Sequence, residues 1–280
     1  MTKSTIGIAA LAALIGTPAL AADMALKAPP SAPLPMANWA GCYGGLNAGA
    51  LVGADHYDLS MAGAFLLPNN IFSDPANSGQ LNHSYSTNPV GFSGGGQIGC
   101  NQQSGTWVYG LEADIDGATR LDTNASYGPL ASLPVPAHTE TITTELGWYT
   151  TLRARLGYTI TPAWLLYATG GLAVGGIQST TNVQFGTGGF FLSGYGFMAS
   201  QTTTRAGWTV GAGTEWALGN RWSIKAEYLF LDFGSFTYLS PCSAGPCVGF
   251  VPAFDWQTHV RADESVFRLG VNYRFGGRPL

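Results

Sequence analysis

The stretch that constrains the fold most is YGLEADIDG, residues 109–117, in which acidic and apolar residues alternate. Glu112, Asp114 and Asp116 occupy every second position, and apolar side chains lie between them. Because side chains alternate between the two faces of a strand, the three carboxylates point to one face and the apolar groups to the other. Buried like charges are unfavourable without partners, so the rest of the chain must supply counter-charges.

The same alternation supplies those counter-charges. In TLRARLGYTI (151–160), GWTVGAGTEW (207–216), RWSIKAEYLF (221–230) and VFRLGVNYRF (266–275), apolar and aromatic residues keep one parity and charged residues the other. An apolar outer face around a charge-balanced interior is the reverse of a soluble protein, and it is what a barrel in lipid requires. We therefore expect an internal salt-bridge network of acids and bases: Glu112, Asp114, Asp116, Glu215 and Glu227 with Arg153, Arg155, Lys225, Arg268 and Arg274.

The lengths of the connections indicate how the strands are joined. QSGT, TPA and GN are short connections, whereas residues 54–90, 118–143, 178–203 and 236–263 form long polar ones. Short turns on one side and long loops on the other are typical of a membrane barrel and not of a soluble sandwich. The sequence predicts an all-β fold, an eight-stranded antiparallel transmembrane up-and-down β-barrel with short periplasmic turns and long extracellular loops. Its candidate strands are 39–53, 91–102, 106–117, 144–160, 164–177, 204–218, 221–235 and 264–275.

Composition agrees with a membrane barrel. Charged residues make up 10% of the chain, against about 25% in typical soluble domains. Outside the first 22 residues, no uninterrupted apolar run approaches the roughly 20 residues that a spanning helix needs. The net charge of −4 gives no electrostatic footprint for nucleic acid.

The N-terminus predicts export. Lys3 precedes the apolar run IGIAALAALIG, and the ALA of residues 19–21 is a small-residue cleavage site. The alternative is an ordinary buried helix. We expect a signal peptide at 1–21, a Pro/Ala-rich periplasmic lead-in at 22–38, the barrel at 39–275 and a short extension at 276–280.

An enzymatic interpretation of the acids is less well supported. Two carboxylates could form a glycosidase pair, and Asp-x-Asp could hold a hard cation. Each inward acid, however, has a basic partner one or two predicted strands away, and no G-x-S-x-G, H-E-x-x-H or P-loop pattern occurs. We expect no catalytic residue and no cofactor.

The four cysteines of an exported chain favour disulfides. Cys42 and Cys100 fall on neighbouring antiparallel strands, near the periplasmic end and on the same outward parity, where a disulfide could bridge them. The alternative is two unpaired small residues. Cys242 and Cys247 enclose four residues of a predicted external loop, and we expect a local disulfide there.

All four histidines, His56, His83, His138 and His259, fall in predicted external loops. They could converge over the barrel mouth to ligate haem iron or a transition metal. Aromatic residues of the same loops could then stack on a porphyrin: Tyr57, Phe65, Phe72, Tyr85, Phe190, Phe191, Tyr195 and Phe197. The alternative is that polar residues simply collect in loops.

Several segments taken together resemble a known family. WAGCYGGLNAG, GGQIGCNQQ, WVYGLEADIDG, TLRARLGYTITPAWLLYATGGLAVG, GWTVGAGTEWAL, WSIKAEYLFLDFG and VFRLGVNYRF are similar, in order, to strands of the small outer-membrane surface-antigen barrels of alphaproteobacteria, the outer-membrane immunogenic protein type. One departure is that GGRPL follows Phe275, whereas such barrels commonly end on an aromatic residue.

The resemblance implies an eight-stranded OmpA-like barrel in the outer membrane of a Gram-negative envelope. It implies roles in envelope integrity and surface antigenicity, and porin activity or haemin binding is ascribed to some members. The implied partners are outer-membrane lipid and lipopolysaccharide, the barrel assembly machinery during biogenesis, and host or surface ligands that the loops would contact.

Overall fold

The computed structural model describes residues 38–120, 123–127 and 135–275. The predicted signal peptide, the lead-in up to residue 37 and the extension at 276–280 lie outside this part of the chain. Within it, no helix is both long and apolar enough to cross a membrane. The strands are β1 (Gly41–Gly63), β2 (His83–Thr87), β3 (Val90–Ser104), β4 (Trp107–Arg120), β5 (Thr123–Tyr127), β6 (His138–Thr161), β7 (Trp164–Phe185), β8 (Gly196–Gly219), β9 (Trp222–Ala244) and β10 (Phe254–Phe275).

Eight long strands close into a barrel. Antiparallel pairing runs in the order β1, β3, β4, β6, β7, β8, β9 and β10, and β10 pairs back onto β1 from Cys42↔Phe275 to Gly63↔Phe254. The predicted eight-stranded antiparallel barrel is therefore confirmed. The short strands β2 and β5 were not predicted; they pair with β1 and β6 respectively. Between β1 and β2 lie two 3-10 turns, Ala64–Leu66 and Ile71–Ser73, and one helical turn, Pro75–Ser78.

The long strands continue beyond their predicted ends, so the predicted loop boundaries were wrong. β1 extends to Gly63, and β6 already begins at His138. The physical reason is a reversal of polarity along each strand. Leu46 faces outward and is 73% exposed, whereas Tyr57 and Leu59 on the same strand face inward and are 2% and 1% exposed. An alternation of apolar outward residues with polar inward residues therefore marks each strand only up to the point where this reversal begins.

The outer surface carries an apolar belt between two aromatic rims. Trp107, Trp164 and Trp222 are exposed near the end of the barrel that holds the short turns, and Trp148 and Trp208 are exposed about ten residues further along the strands. Aromatic residues favour such positions at membrane interfaces. The belt thus marks the membrane-spanning part, and the remaining strand length projects from the long-loop end.

The interior is built in layers. Trp39, Val108, Leu165 and Tyr167 form an apolar cluster at the short-turn end. The charged residues come next, followed by an apolar cluster around Tyr149. A larger cluster around Phe65, Phe197 and Trp256 fills the long-loop end. The charged side chains therefore lie between apolar layers.

Candidate functional site

Arg153 lies at the centre of the buried charges and contacts three carboxylates. Its Nη2 is 2.5 Å from Oε1 of Glu112 and 2.6 Å from Oδ2 of Asp114. Its Nη1 is 3.0 Å from Oε1 of Glu227. Glu227 is on β9 and Arg153 on β6, three places apart in the ring of strands. The guanidinium therefore connects widely separated walls of the barrel.

Arg268 and Lys225 extend the network across the interior. Arg268 Nη2 is 2.8 Å from Oδ2 of Asp114 and 2.7 Å from Oε2 of Glu227, and its Nη1 is 3.2 Å from Asp116. Lys225 Nζ is 2.8 Å from Oε1 of Glu112. Strands β9 and β4, which carry Lys225 and its acid, face each other across the eight-stranded ring. Charged groups from opposite walls thus meet in direct contact.

Arg155 and Glu215 form a second pair nearer the short turns. Arg155 Nη2 contacts Glu215, and its guanidinium lies 3.7 Å from the ring centre of Tyr167. Tyr43 connects this pair to the main network, because its hydroxyl donates to Glu112 at 2.5 Å and accepts from Arg155 at 3.1 Å. Nine of the ten predicted residues are therefore brought together.

Arg274 does not join them, which corrects the prediction. Among the described residues it makes no ion pair; its Nη1 donates to the carbonyl of Asn38, and its guanidinium lies 4.9 Å from the ring centre of Trp39. Its side chain lies inside the barrel at the short-turn end, beyond the acids. Its positive charge is therefore located at that end and not within the network.

Uncharged polar residues of the site were missed from the sequence. Asn47 Nδ2 donates to Gln97 at 2.7 Å, and Gln97 Nε2 donates to Asn272 at 2.8 Å. The inward parity of β1 and β3 could have revealed Asn47 and Gln97, but small residues surround them.

Glycines of the same strands have a steric role. A Cβ on Gly99 would lie 2.5 Å from the ring of Tyr43.

The cysteines are joined in two disulfides. Cys42 and Cys100 lie directly opposite each other on β1 and β3, and their sulfurs are bonded. Cys242, near the end of β9, is bonded to Cys247. Both pairings are those considered from the sequence.

The four histidines do not all converge on one site, and all four lie on strands, not in loops. His56 and His259 are on the outer surface, where they contact the hydroxyls of Ser86 and Thr237. They lie on strands because the segments that were predicted to be loops continue the barrel wall. Only His83 and His138 point inward.

Glu140 lies between the two inward histidines. Its Oε1 accepts from Nδ1 of His83 at 3.0 Å and from Nε2 of His138 at 3.2 Å. Burial by itself would raise the pKa of Glu140, but the hydrogen bonds and charge of the two imidazoles hold it below the usual range. The carboxylate is therefore anionic. The arrangement offers two imidazole nitrogens and a carboxylate oxygen as metal ligands.

An aromatic cleft of about 440 Å³ opens at the long-loop end. Five of the aromatic residues considered from the sequence line it together with Phe254: Phe65, Phe72, Phe190, Phe191 and Tyr195. Its lining contains no histidine. The cleft could therefore hold a flat apolar ligand by stacking but not by histidine ligation.

Comparison with known proteins gives concordant results. A model of the outer membrane protein beta-barrel domain matches residues 8–275. The 31 kDa outer-membrane immunogenic protein of Brucella melitensis is 36% identical over 239 residues, which cover 83% of this chain and 88% of that protein. A 22 kDa outer membrane protein of Rhizobium leguminosarum is 30% identical over 51% of this chain and 54% of its own length. The crystal structure of the Escherichia coli outer membrane protease OmpT aligns over 84% of this chain and 97% of its own, with 8% identity and a TM-score of 0.46.

Proposed function

Because the chain belongs to the outer membrane protein beta-barrel family, we propose that it is a closed structural barrel of the outer membrane whose projecting end acts as a surface antigen. Its lipid-facing belt lies in the outer membrane, where the family resides. The proposal concerns what the interior and the projecting strands do there.

The observation that carries the proposal is contact between opposite walls. Lys225 on β9 reaches Glu112 on β4, and Arg268 on β10 reaches Asp114 on β4, both at 2.8 Å. Side chains that touch across the interior occupy the space that a water path would need. An eight-stranded barrel is only wide enough for its side chains to fill. The charged layer therefore supports a closed barrel and not the alternative of a small porin.

The apolar layers add a second barrier. An ion that passed the charged layer from the short-turn end would meet Tyr149 and Phe233, both fully buried, and then the cluster around Trp256. Moving an ion through such layers carries a large desolvation cost. Three successive filled layers favour envelope integrity as the role of the interior.

The projecting strands supply the antigenic surface. Beyond the belt, the outward parity of β1 carries His56, Asp58 and Ser60, which are polar and suited to water. The proposal implies lipopolysaccharide around this region and the barrel assembly machinery during biogenesis. Host or surface ligands would meet the chain at the same end.

Single-channel recording in planar bilayers tests the closed barrel. The refolded wild-type protein should give no stable open state, with protease protection used to verify insertion. The charge-neutral variant Arg153→Ala/Glu227→Ala removes one contact across the interior, and Leu152→Ala on the lipid face is its matched control. Current in the interior variant alone would support packing as the barrier. A stable open state of the wild type would favour the porin.

A second candidate is binding of a flat aromatic ligand such as haemin, and the aromatic cleft is the observation that favours it. Haemin titration followed by absorbance should compare Phe191→Ala with the quadruple His→Ala variant. Stacking in the cleft predicts that binding weakens in the first and persists in the second. Loss of binding only in the histidine variant would refute the cleft as the site.

A further inference from the structure

Three side chains from two separate parts of the chain converge inside the projecting end. His83 comes from β2, and His138 and Glu140 come from alternate positions of β6 that face inward. One ligand atom of each residue lies within 4.8 Å of the other two. His138 is 3% exposed and Glu140 0%, so this cluster is part of the interior and not a solvated surface group.

The distances are close to those of a filled site. Ligand atoms about 2.0–2.1 Å from a tetrahedral Zn²⁺ lie roughly 3.3 Å from each other. Glu140 Oε1 is 3.0 Å from His83 Nδ1 and 3.2 Å from His138 Nε2. The third distance, between the two histidine nitrogens, is at most 4.8 Å, and His83, whose side chain is 19% exposed, is the ligand nearest the solvent.

The donor set and its surroundings also suit a metal. Two imidazoles and one carboxylate are a common ligand set for Zn²⁺. The ring of His138 stacks against two others, that of His83 at 5.7 Å and that of Phe185 at 4.7 Å between ring centres. Oε2 of Glu140 is buried, and no described residue hydrogen-bonds to it. A buried carboxylate oxygen without a donor is costly, and a cation bound at this carboxylate would compensate it.

We propose that His83, His138 and Glu140 bind one divalent transition-metal ion of the Zn²⁺ class. The ion replaces the two hydrogen bonds to Glu140: the proton on Nδ1 of His83 and the proton on Nε2 of His138 each move to the other nitrogen of the ring, so that both imidazoles stay neutral and offer a lone pair to the metal. Water completes the coordination. Haem is a poor fit, because the ring of His138 already stacks against the rings of His83 and Phe185, whose centres lie 5.7 and 4.7 Å away.

The position of the site gives it a structural consequence. β2 hydrogen-bonds to β1, and β5 hydrogen-bonds to β6, but among the described strands these two short strands do not pair with each other. In the described part of the projecting end, the wall between β2 and β5 therefore lacks a ladder of backbone hydrogen bonds. A metal ion bound by His83 of β2 and by His138 and Glu140 of β6 joins the two sides of this gap without a backbone hydrogen bond.

Metal titration of the full-length refolded protein tests the proposal. The protein is first stripped with chelator, and Zn²⁺ binding is measured by equilibrium dialysis, with Co²⁺ absorption reporting a tetrahedral site. Glu140→Gln keeps the size of the side chain and one oxygen that accepts hydrogen bonds, but it removes the negative charge. His83→Ala removes one of the three metal ligands. The matched control is His56→Ala/His259→Ala, which removes the two outward histidines.

Wild type and the control should bind one equivalent with the same affinity, and both ligand variants should bind roughly tenfold or more weakly. Zn²⁺ should also raise the melting temperature of wild type but not of Glu140→Gln, because a ligand that binds only the folded state stabilises it. Circular dichroism verifies that each variant folds. The absence of stoichiometric binding by wild type would overturn the proposal, as would equal binding in both ligand variants or loss in the outward control.

Discussion

Replacing Arg153 by Met removes the central cation of the buried network while keeping a side chain of similar length. Arg153 is 0% exposed, and its guanidinium contacts Glu112, Asp114 and Glu227. Removing one partner of a buried ion pair leaves an uncompensated charge, which is far more costly than replacing the whole pair by apolar groups. We therefore expect this variant to be strongly destabilised.

The ion pairs that remain in Arg153→Met determine how much unfolding free energy the variant loses. Without Arg153, Glu112 keeps Lys225 at 2.8 Å, and Asp114 and Glu227 keep Arg268 at 2.8 and 2.7 Å. Each carboxylate therefore retains one cation within contact. The net change is a single excess negative charge shared by the network, not three broken pairs. One broken buried pair costs about 3–5 kcal/mol, and sharing the charge places the expected loss near the lower end.

Urea unfolding from lipid vesicles, followed by tryptophan fluorescence, measures this loss from the midpoint and the slope. The double variant Arg153→Met/Glu112→Gln removes one acid together with the base. It should recover about 1–3 kcal/mol relative to the sum of the two single changes. Leu152→Met, at the neighbouring outward position, is the matched control and should change the free energy of unfolding by less than about 0.5 kcal/mol.

If Arg153→Met were as stable as the control, with an unchanged dependence of the unfolding free energy on urea, the central role of Arg153 in the network would be refuted. Strict additivity in the double variant would also contradict it, because the network requires Arg153 and Glu112 to be coupled.

Three further changes test other parts of the structure by the same unfolding assay. Leu152→Arg puts a charge on the lipid face midway between the aromatic rims, and it should cost about 2–4 kcal/mol; no loss would contradict the assigned membrane position. Gly99→Ala should cost about 1–3 kcal/mol, because the added Cβ would displace the ring of Tyr43; a neutral result would show that this ring moves freely. Cys42→Ser should cost about 4 kcal/mol and Cys242→Ser about 2 kcal/mol, since their disulfides span 58 and 5 residues; equal losses would argue against chain entropy as the cause.

The sequence by itself determined the fold class and most of the candidate site. The parity of residues 109–117 and of the segments around Arg153 and Arg268 is a local property, because a strand places every second side chain on the same face whatever its partners. The contrast between short and long connections is equally local, and it fixed the order of the barrel strands. Parity also fixed which charges face inward, although it could not reveal that Arg274 lies beyond the acids.

Only the tertiary structure decided which groups meet. Asp114 and Arg268 pair although 154 residues separate them, because closure of the barrel places β4 and β10 on facing walls. His83 and Glu140, 57 residues apart, meet because β2 pairs with β1 and so lies near β6 inside the projecting end. The full length of the strands was also hidden, since beyond the membrane the solvent changes from lipid to water. Apolar side chains face outward where a strand lies in lipid and inward where it lies in water. A pattern of apolar outward residues therefore identifies each strand inside the membrane but not its continuation outside.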